Sequence, residues 1–264
     1  MRDQIILKTM NCDAGKFGEY QIQFVKPAAA TVTLCSYTTT PASTMFLVTR
    51  AYKGIYDASP QIKDNYTAKN AFEDIQKTKL QTPLEMIHML WLLQDVTRAF
   101  THQLVRYRVG TSFVQESMRF LGMKKVFKVL VTHSAAEDSI VYNDPAVSNL
   151  DIYCLGASGA ISDYVELLSR GVPSEDARGI LPTNILTNIY FDCSLRTLQN
   201  IFPQRLCCQA QQGEWQPILL EMRKQIKQNM GTGIESLLQA PYERGEDCGY
   251  RASFDRPCIW QKEK

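Results

Sequence analysis

The sequence predicts one α+β domain. Stretches rich in threonine, β-branched and aromatic residues alternate with stretches that carry helix start and stop signals. No run of proline, glycine or serine separates them into two bodies. The 264 residues, 45% hydrophobic and 21% charged, are enough to bury a full core.

Residues 1–30 read as strand-like pieces and turns. TVTLCSYTTT, 31–40, reads as a strand. Ser43 is placed to cap a helix that holds Phe46, Leu47 and Arg50. Residues 57–70 are polar and turn-rich, and 67–79 read as a polar helix. Residues 84–108 fit either one long helix or a strand followed by a helix, because periodicity does not settle a short run such as IHMLWLL. In the second case Asp95 caps a helix over 96–108. Arg98, His102 and Arg106 then share one face, and Val96, Phe100 and Leu104 another. Residues 109–121 read as a turn and a short extended piece, 124–132 as a strand and 143–151 as a loop. Residues 162–170 read as a helix closed by Gly171. Ser174, Glu175 and Asp176 start another helix. Residues 187–212 read as helix with an interruption near Pro203, followed by a helix over about 216–230. The tail from Pro241 reads as irregular.

Composition excludes several classes. The longest unbroken apolar run is 89–93, whereas a bilayer span needs about 20 residues. The first residues lack the apolar core of a secretory signal, so the expected compartment is the cytoplasm. The 29 basic and 27 acidic residues nearly balance, which does not mark a nucleic-acid binder. Eight cysteines without a C-x2-C pair, and three histidines, predict reduced thiols and no metal site.

The densest chemical signal is RYRVGTSFVQESMRF, 106–120. It sets Arg106, Arg108 and Arg119 around Ser112, Gln115, Glu116 and Ser117. Guanidinium groups offer a planar fork that matches phosphate, and turn amides and hydroxyls add donors. A solvated basic turn at a helix C-terminus explains the same residues without a ligand. A second group lies in 175–211. Arg196 and Asn200 share a helix face, while Arg205, nine residues beyond Arg196, turns to the opposite flank. One helix can thus address two ligands, or simply carry surface ion pairs.

TRAFTHQLV followed by RYRVGTSFVQESMRF resembles the signature of the flavin-dependent thymidylate synthases. TPLE (82–85), GVPSEDARGILP (171–182) and SLRTLQNIFPQRLCCQAQ (194–211) resemble three further blocks of that family, in the same order, so the likeness covers about 45–230. The resemblance implies an α+β fold with a mixed sheet and packed helices. It implies methylation of dUMP to dTMP with methylene-tetrahydrofolate as carbon donor, FAD as cofactor and NADPH as reductant. It also implies a homotetramer with shared active sites. By position, Thr82, Glu85, Arg106, Tyr107, Arg108, Arg196 and Asn200 would hold FAD. Gln103, Gln115, Ser117, Arg119, Arg178 and Arg205 would bind dUMP. Arg205 is the expected catalytic group, stabilising negative charge on the uracil. Ser117, the other candidate, reads more readily as a phosphate ligand than as a nucleophile.

The chain departs from the pattern at several places. Tyr107 stands at the central histidine of the signature, and the spacer from Arg108 to Ser117 is one residue longer. Leu80 or Gln81, Met86 and Gln209 stand where the family has histidines, and Ser194 where it has asparagine. Three outcomes remain open: a divergent thymidylate synthase, a relative that makes a 5-hydroxymethyl pyrimidine nucleotide, or a protein that binds nucleotide or nucleic acid without catalysis.

Overall fold

The computed structural model describes residues 5–26, 30–56, 75, 77, 80–123, 125–136, 148–207, 212–231 and 233–246. The polar helix expected over 67–79, the turn-rich 57–70 and Gln209 lie outside these residues, apart from Ile75 and Lys77.

Two compact units emerge from the contacts within the chain. The first comprises Met1–Thr31, Leu93–Leu104 and Val114–Ile189; the second comprises Val32–Leu92, Val105–Phe113 and Tyr190–Lys264.

In the first unit, β1 (Ile6–Asp13) pairs antiparallel with β2 (Glu19–Val25), which pairs in parallel with β6 (Val126–Leu130). This three-stranded sheet is mixed, in line with the predicted fold class. Tyr20, Ile22 and Phe24 of β2 alternate inward with Phe127 and Val129 of β6. A long helix, Asn149–Ser169, covers that face with Cys154, Ala157, Ile161, Tyr164 and Val165. Each such large side chain contributes about 1.5–3 kcal/mol when taken out of water. The Ser148 hydroxyl accepts the Asp151 N–H at 3.0 Å and caps the helix. The helix begins 13 residues before the predicted 162, inside the segment read as a loop. Gly156 and Gly159 weaken the local signal by about 1 kcal/mol each, and burial of the neighbouring apolar positions outweighs it.

A second sheet has the order β3 (Thr31–Tyr37), β4 (His88–Thr97), β7 (Leu186–Ser194), β5 (Thr111–Gln115). Residues 84–108 resolve as strand then helix, the helix being Arg98–Leu104. Asp95 is not its cap. It lies within β4 at φ +56°, and the Thr97 hydroxyl accepts the Phe100 N–H at 2.9 Å instead. The helix stops at Leu104, so Arg106 does not join the face of Arg98 and His102. Residues 186–194 are a strand where a helix was expected. Ile189, Phe191 and Cys193 are buried, and Asn188, Tyr190 and Asp192 are not, which is the period of a strand.

In the second unit the first helix spans Pro41–Ala51, with Pro41 opening it and Thr40, not Ser43, in the cap position. Helix Leu195–Arg205 runs without a break through Pro203. Proline removes one rung but is tolerated where packing holds both sides, and Leu195, Leu198, Ile201 and Phe202 are all buried. This helix packs on the turn Thr82–Met86, on helix Gln212–Met230 and on the turn Ile234–Leu238. No described helix is long and apolar enough to cross a membrane.

Candidate functional site

The Arg-Tyr-Arg segment leaves the helix Arg98–Leu104 as a turn and enters β5. Gly110 sits in that turn at φ +65°, a conformation open to glycine. A Cβ there would lie 2.9 Å from both Ser194 Oγ and Thr197 Oγ1. The close approach is held by hydrogen bonds. The Ser194 N–H donates to the Gly110 carbonyl at 3.1 Å, and the Thr197 hydroxyl donates to the Val109 carbonyl at 2.8 Å. Ser194 also caps the helix Leu195–Arg205, its Oγ accepting the Thr197 N–H at 3.2 Å. The serine that replaces the expected asparagine therefore joins the basic turn to a helix N-terminus.

The second unit carries Thr82, Glu85, Arg106, Tyr107, Arg108, Arg196, Asn200 and Arg205. Thr82 and Glu85 are exposed on the short turn Thr82–Met86. Arg106 and Arg108 are exposed and flank Tyr107. Arg196, one residue into its helix, donates Nη1–H to Gln199 Oε1 at 2.8 Å, and Asn200 is exposed one turn further on. Among the described residues Arg106, Arg108 and Arg196 make no ion pair. A guanidinium group without a carboxylate partner keeps a planar fork of donors suited to phosphate oxygens. Arg205 lies at the far end of the helix. Its Nε–H donates to the Tyr107 hydroxyl at 2.9 Å, and that hydroxyl donates to Gln204 Oε1 at 2.9 Å.

The first unit carries Gln103, Gln115, Ser117, Arg119 and Arg178. Gln115, at the end of β5, donates Nε2–H to the buried Thr101 hydroxyl at 2.9 Å. The Ser117 Oγ accepts the Arg119 N–H at 3.4 Å, and no base lies within hydrogen-bond distance of it among the described residues. Gln103 is half-buried on the helix Arg98–Leu104. Arg119 is exposed on the turn Met118–Met123. Arg178 opens a short turn, its Nε–H donating to the Glu175 carbonyl at 3.1 Å.

Arg98, Asn188, Lys128 and Trp215 escape a reading by motif. Arg98 is half-buried, and its Nε has no hydrogen-bond partner among the described residues. Burial pushes its guanidinium below the ordinary arginine value, Arg178 pushes the same way, and Glu116 opposes both. An anion placed there would relieve the burial and the repulsion together. Asn188 ties Glu116 to Asp95, donating to the Glu116 carboxylate at 3.1 Å and accepting the Asp95 N–H at 3.1 Å. With Lys128, these three line a polar cavity of about 410 Å³. The sequence signal for Asp95 and Lys128 is charge within an apolar strand. Trp215 is the fourth. It is buried, with the Arg205 guanidinium 4.8 Å from its ring centre.

Comparison with known proteins decides the family. The model of the family described as "Thymidylate synthase complementing protein" matches residues 33–230, three quarters of the chain. The chain belongs to this family. Among curated relatives, the flavin-dependent thymidylate synthase of Pyrococcus furiosus is 30% identical over 186 residues, 68% of this chain and 72% of that one. The flavin-dependent thymidylate synthase of Saccharolobus solfataricus is 34% identical over 136 residues, 51% of this chain and 48% of the relative. The chain thus spans about half the length of the first curated relatives it matches. Among solved structures, a UMP/dUMP methylase, PolB from Streptomyces cacaoi, bound with 5-Br dUMP, superposes with a TM-score of 0.64 at 17% identity. The match covers 80% of this chain and 95% of that one, and establishes the shared fold. Family membership accounts for the order of the four sequence blocks.

Proposed function

We propose that the protein is a flavin-dependent thymidylate synthase, which converts dUMP to dTMP with methylene-tetrahydrofolate as carbon donor and FAD, reduced by NADPH, as cofactor. The observation that carries the proposal is the basic turn locked onto a helix N-terminus, with Arg106, Arg108 and Arg196 lacking carboxylate partners among the described residues. Those three arginines, with Tyr107, Asn200, Thr82 and Glu85, hold FAD. Gln103, Gln115, Ser117, Arg119 and Arg178 bind the nucleotide, mainly at its phosphate, and Arg98 joins them. Ser117 serves as a hydroxyl donor, since no base among the described residues is within reach to activate it. Arg205 binds the pyrimidine and stabilises the negative charge that develops on it.

The bound flavin supplies the redox chemistry. The chain supplies position: anionic groups are gripped at several points, so the reacting ring is presented to the carbon donor in one orientation. No protein thiol is required by this scheme. The enzyme is expected to work as a homotetramer with shared active sites in the cytoplasm.

The test is direct. Purified protein should be yellow and release FAD on denaturation. With dUMP, methylene-tetrahydrofolate and NADPH it should yield dTMP, identified by mass spectrometry. A 5-hydroxymethyl product would replace the methylation reading by the hydroxymethylase one. A colourless protein that cannot be loaded with FAD would remove the flavoenzyme reading altogether.

A further inference from the structure

Arg205 is held by more than its own helix. Its guanidinium carbon lies 5.5 Å from the Tyr107 ring centre and 4.8 Å from the Trp215 ring centre. Both distances fall within the range of attraction between a cation and an aromatic face. Its Nε–H is taken by the Tyr107 hydroxyl, and the Tyr107 hydroxyl proton is taken by Gln204. The phenol therefore stands as acceptor to Arg205 and donor to Gln204, a relay whose direction is fixed because a guanidinium can only donate.

Tyr107 is anchored in turn. It lies in the segment 105–110 whose carbonyls are bonded to Ser194 and Thr197, at the other end of the helix that carries Arg205. The helix is thus spanned at both ends by one loop. Arginine has high rotamer entropy and three flexible methylenes, so a free Arg205 would sample many positions. The loop and the buried tryptophan remove that freedom before any ligand arrives.

We propose that Tyr107 is a positioning residue for Arg205, and that with Trp215 it clamps the guanidinium so that Nε is excluded from ligand recognition and the charge is aimed at the pyrimidine ring. This rests on the reading of Arg205 as the group that faces the pyrimidine. Preorganised charge lowers the energy of an anion that forms during reaction, with little effect on binding of the neutral ring. Tyr107 is therefore expected to act on kcat and on ring ionisation more than on nucleotide affinity.

The test compares wild type, Tyr107→Phe and Gln204→Ala, each loaded with FAD and checked by melting temperature. Tyr107→Phe keeps the ring and removes the hydrogen bond. Gln204→Ala removes only the exposed acceptor of the relay. The binding readout uses 5-fluoro-dUMP, whose ring N–H is more acidic than that of dUMP, and follows ultraviolet absorbance of the bound nucleotide against pH. Wild type should lower the apparent pKa of the bound ring relative to the free nucleotide. Tyr107→Phe should lose at least half of that depression, Gln204→Ala a smaller part, with dissociation constants at low pH within about twofold of wild type. In turnover, Tyr107→Phe should lose about tenfold in kcat with KM for dUMP nearly unchanged. If Tyr107→Phe titrates and turns over like wild type, the clamp is overturned while the enzyme assignment stands. If wild type binds no pyrimidine nucleotide, the assignment of Arg205 falls and the clamp with it.

Discussion

Ser194 donates its backbone N–H to the carbonyl of Gly110 over 3.1 Å, closing a contact with no room for a β-carbon. The basic turn is therefore a fixed part of the second unit. Gly110→Ala meets both the left-handed backbone and the two hydroxyls, and is expected to cost about 3 kcal/mol of stability. Denaturant titration measures it. A loss below about 1 kcal/mol would mean that the turn yields easily and is not held as described.

Arg106 and Arg119 are expected to separate two binding functions. Both are exposed and make no ion pair among the described residues, so replacing either by alanine should leave stability within about 0.5 kcal/mol. Arg106→Ala should lower the FAD content of the purified protein at least tenfold. Arg119→Ala should keep FAD and weaken dUMP at least tenfold. The checks are flavin absorbance and nucleotide titration. Equal loss of FAD in both variants would defeat this division.

Arg98 is expected to trade stability for affinity. Its guanidinium is half-buried beside a like charge, and its Nε is unsatisfied. Arg98→Met keeps most of the packing and removes the burdened charge, so the unliganded protein should be at least as stable as wild type, by up to about 1 kcal/mol. Affinity for dUMP should fall at least tenfold. Thermal melting with and without nucleotide tests both halves together, and a variant that is less stable yet binds as well as wild type would reverse the argument.

Cys193 gives a pH prediction. Burial pushes its thiol well above the ordinary value, Asp192 adds to the shift, and Trp91 opposes it. The folded protein thus keeps the proton that an unfolded chain releases. This contribution is complete below the ordinary thiol value of about 8.5 and is lost as pH rises through that value towards the folded one. Stability should decline above about pH 9, and the decline should shrink in Cys193→Ala. In thiol labelling at pH 8 the exposed Cys35 should react rapidly, and Cys193 only at the rate of unfolding.

Elements with one strong local signal are legible in the sequence. Threonine-rich 31–37, the strand 126–130 and the helix through 216–230 all stand where residue type and spacing put them. The failures have identifiable physics. Asp95 looks like a helix cap, yet it takes a left-handed conformation inside a strand, where Asn188 accepts its amide hydrogen. Residues 187–193 alternate buried and unburied positions, but the following helical run masks their period of two. The helix from 149 is obscured by its glycines, and part of the packing that stabilises it comes from a strand more than a hundred residues earlier, which no local window contains. At the site, the arginine-rich blocks are legible as chemistry. The bond from Arg205 to Tyr107 is not, since 98 positions separate the partners and no local rule links them.

Pro203 has no amide hydrogen, so the Gln199 carbonyl receives nothing from the residue four places on. The missing rung falls just before Arg205, while the Leu206 amide still reaches the Phe202 carbonyl at 2.9 Å. The backbone thereby gives up part of its grip where the guanidinium must be aimed most accurately, and two aromatic side chains take over the task. Changes in those rings can re-aim the arginine without rewinding the helix, so on the proposed role of Arg205 the choice of ring it faces can drift while the scaffold stays intact.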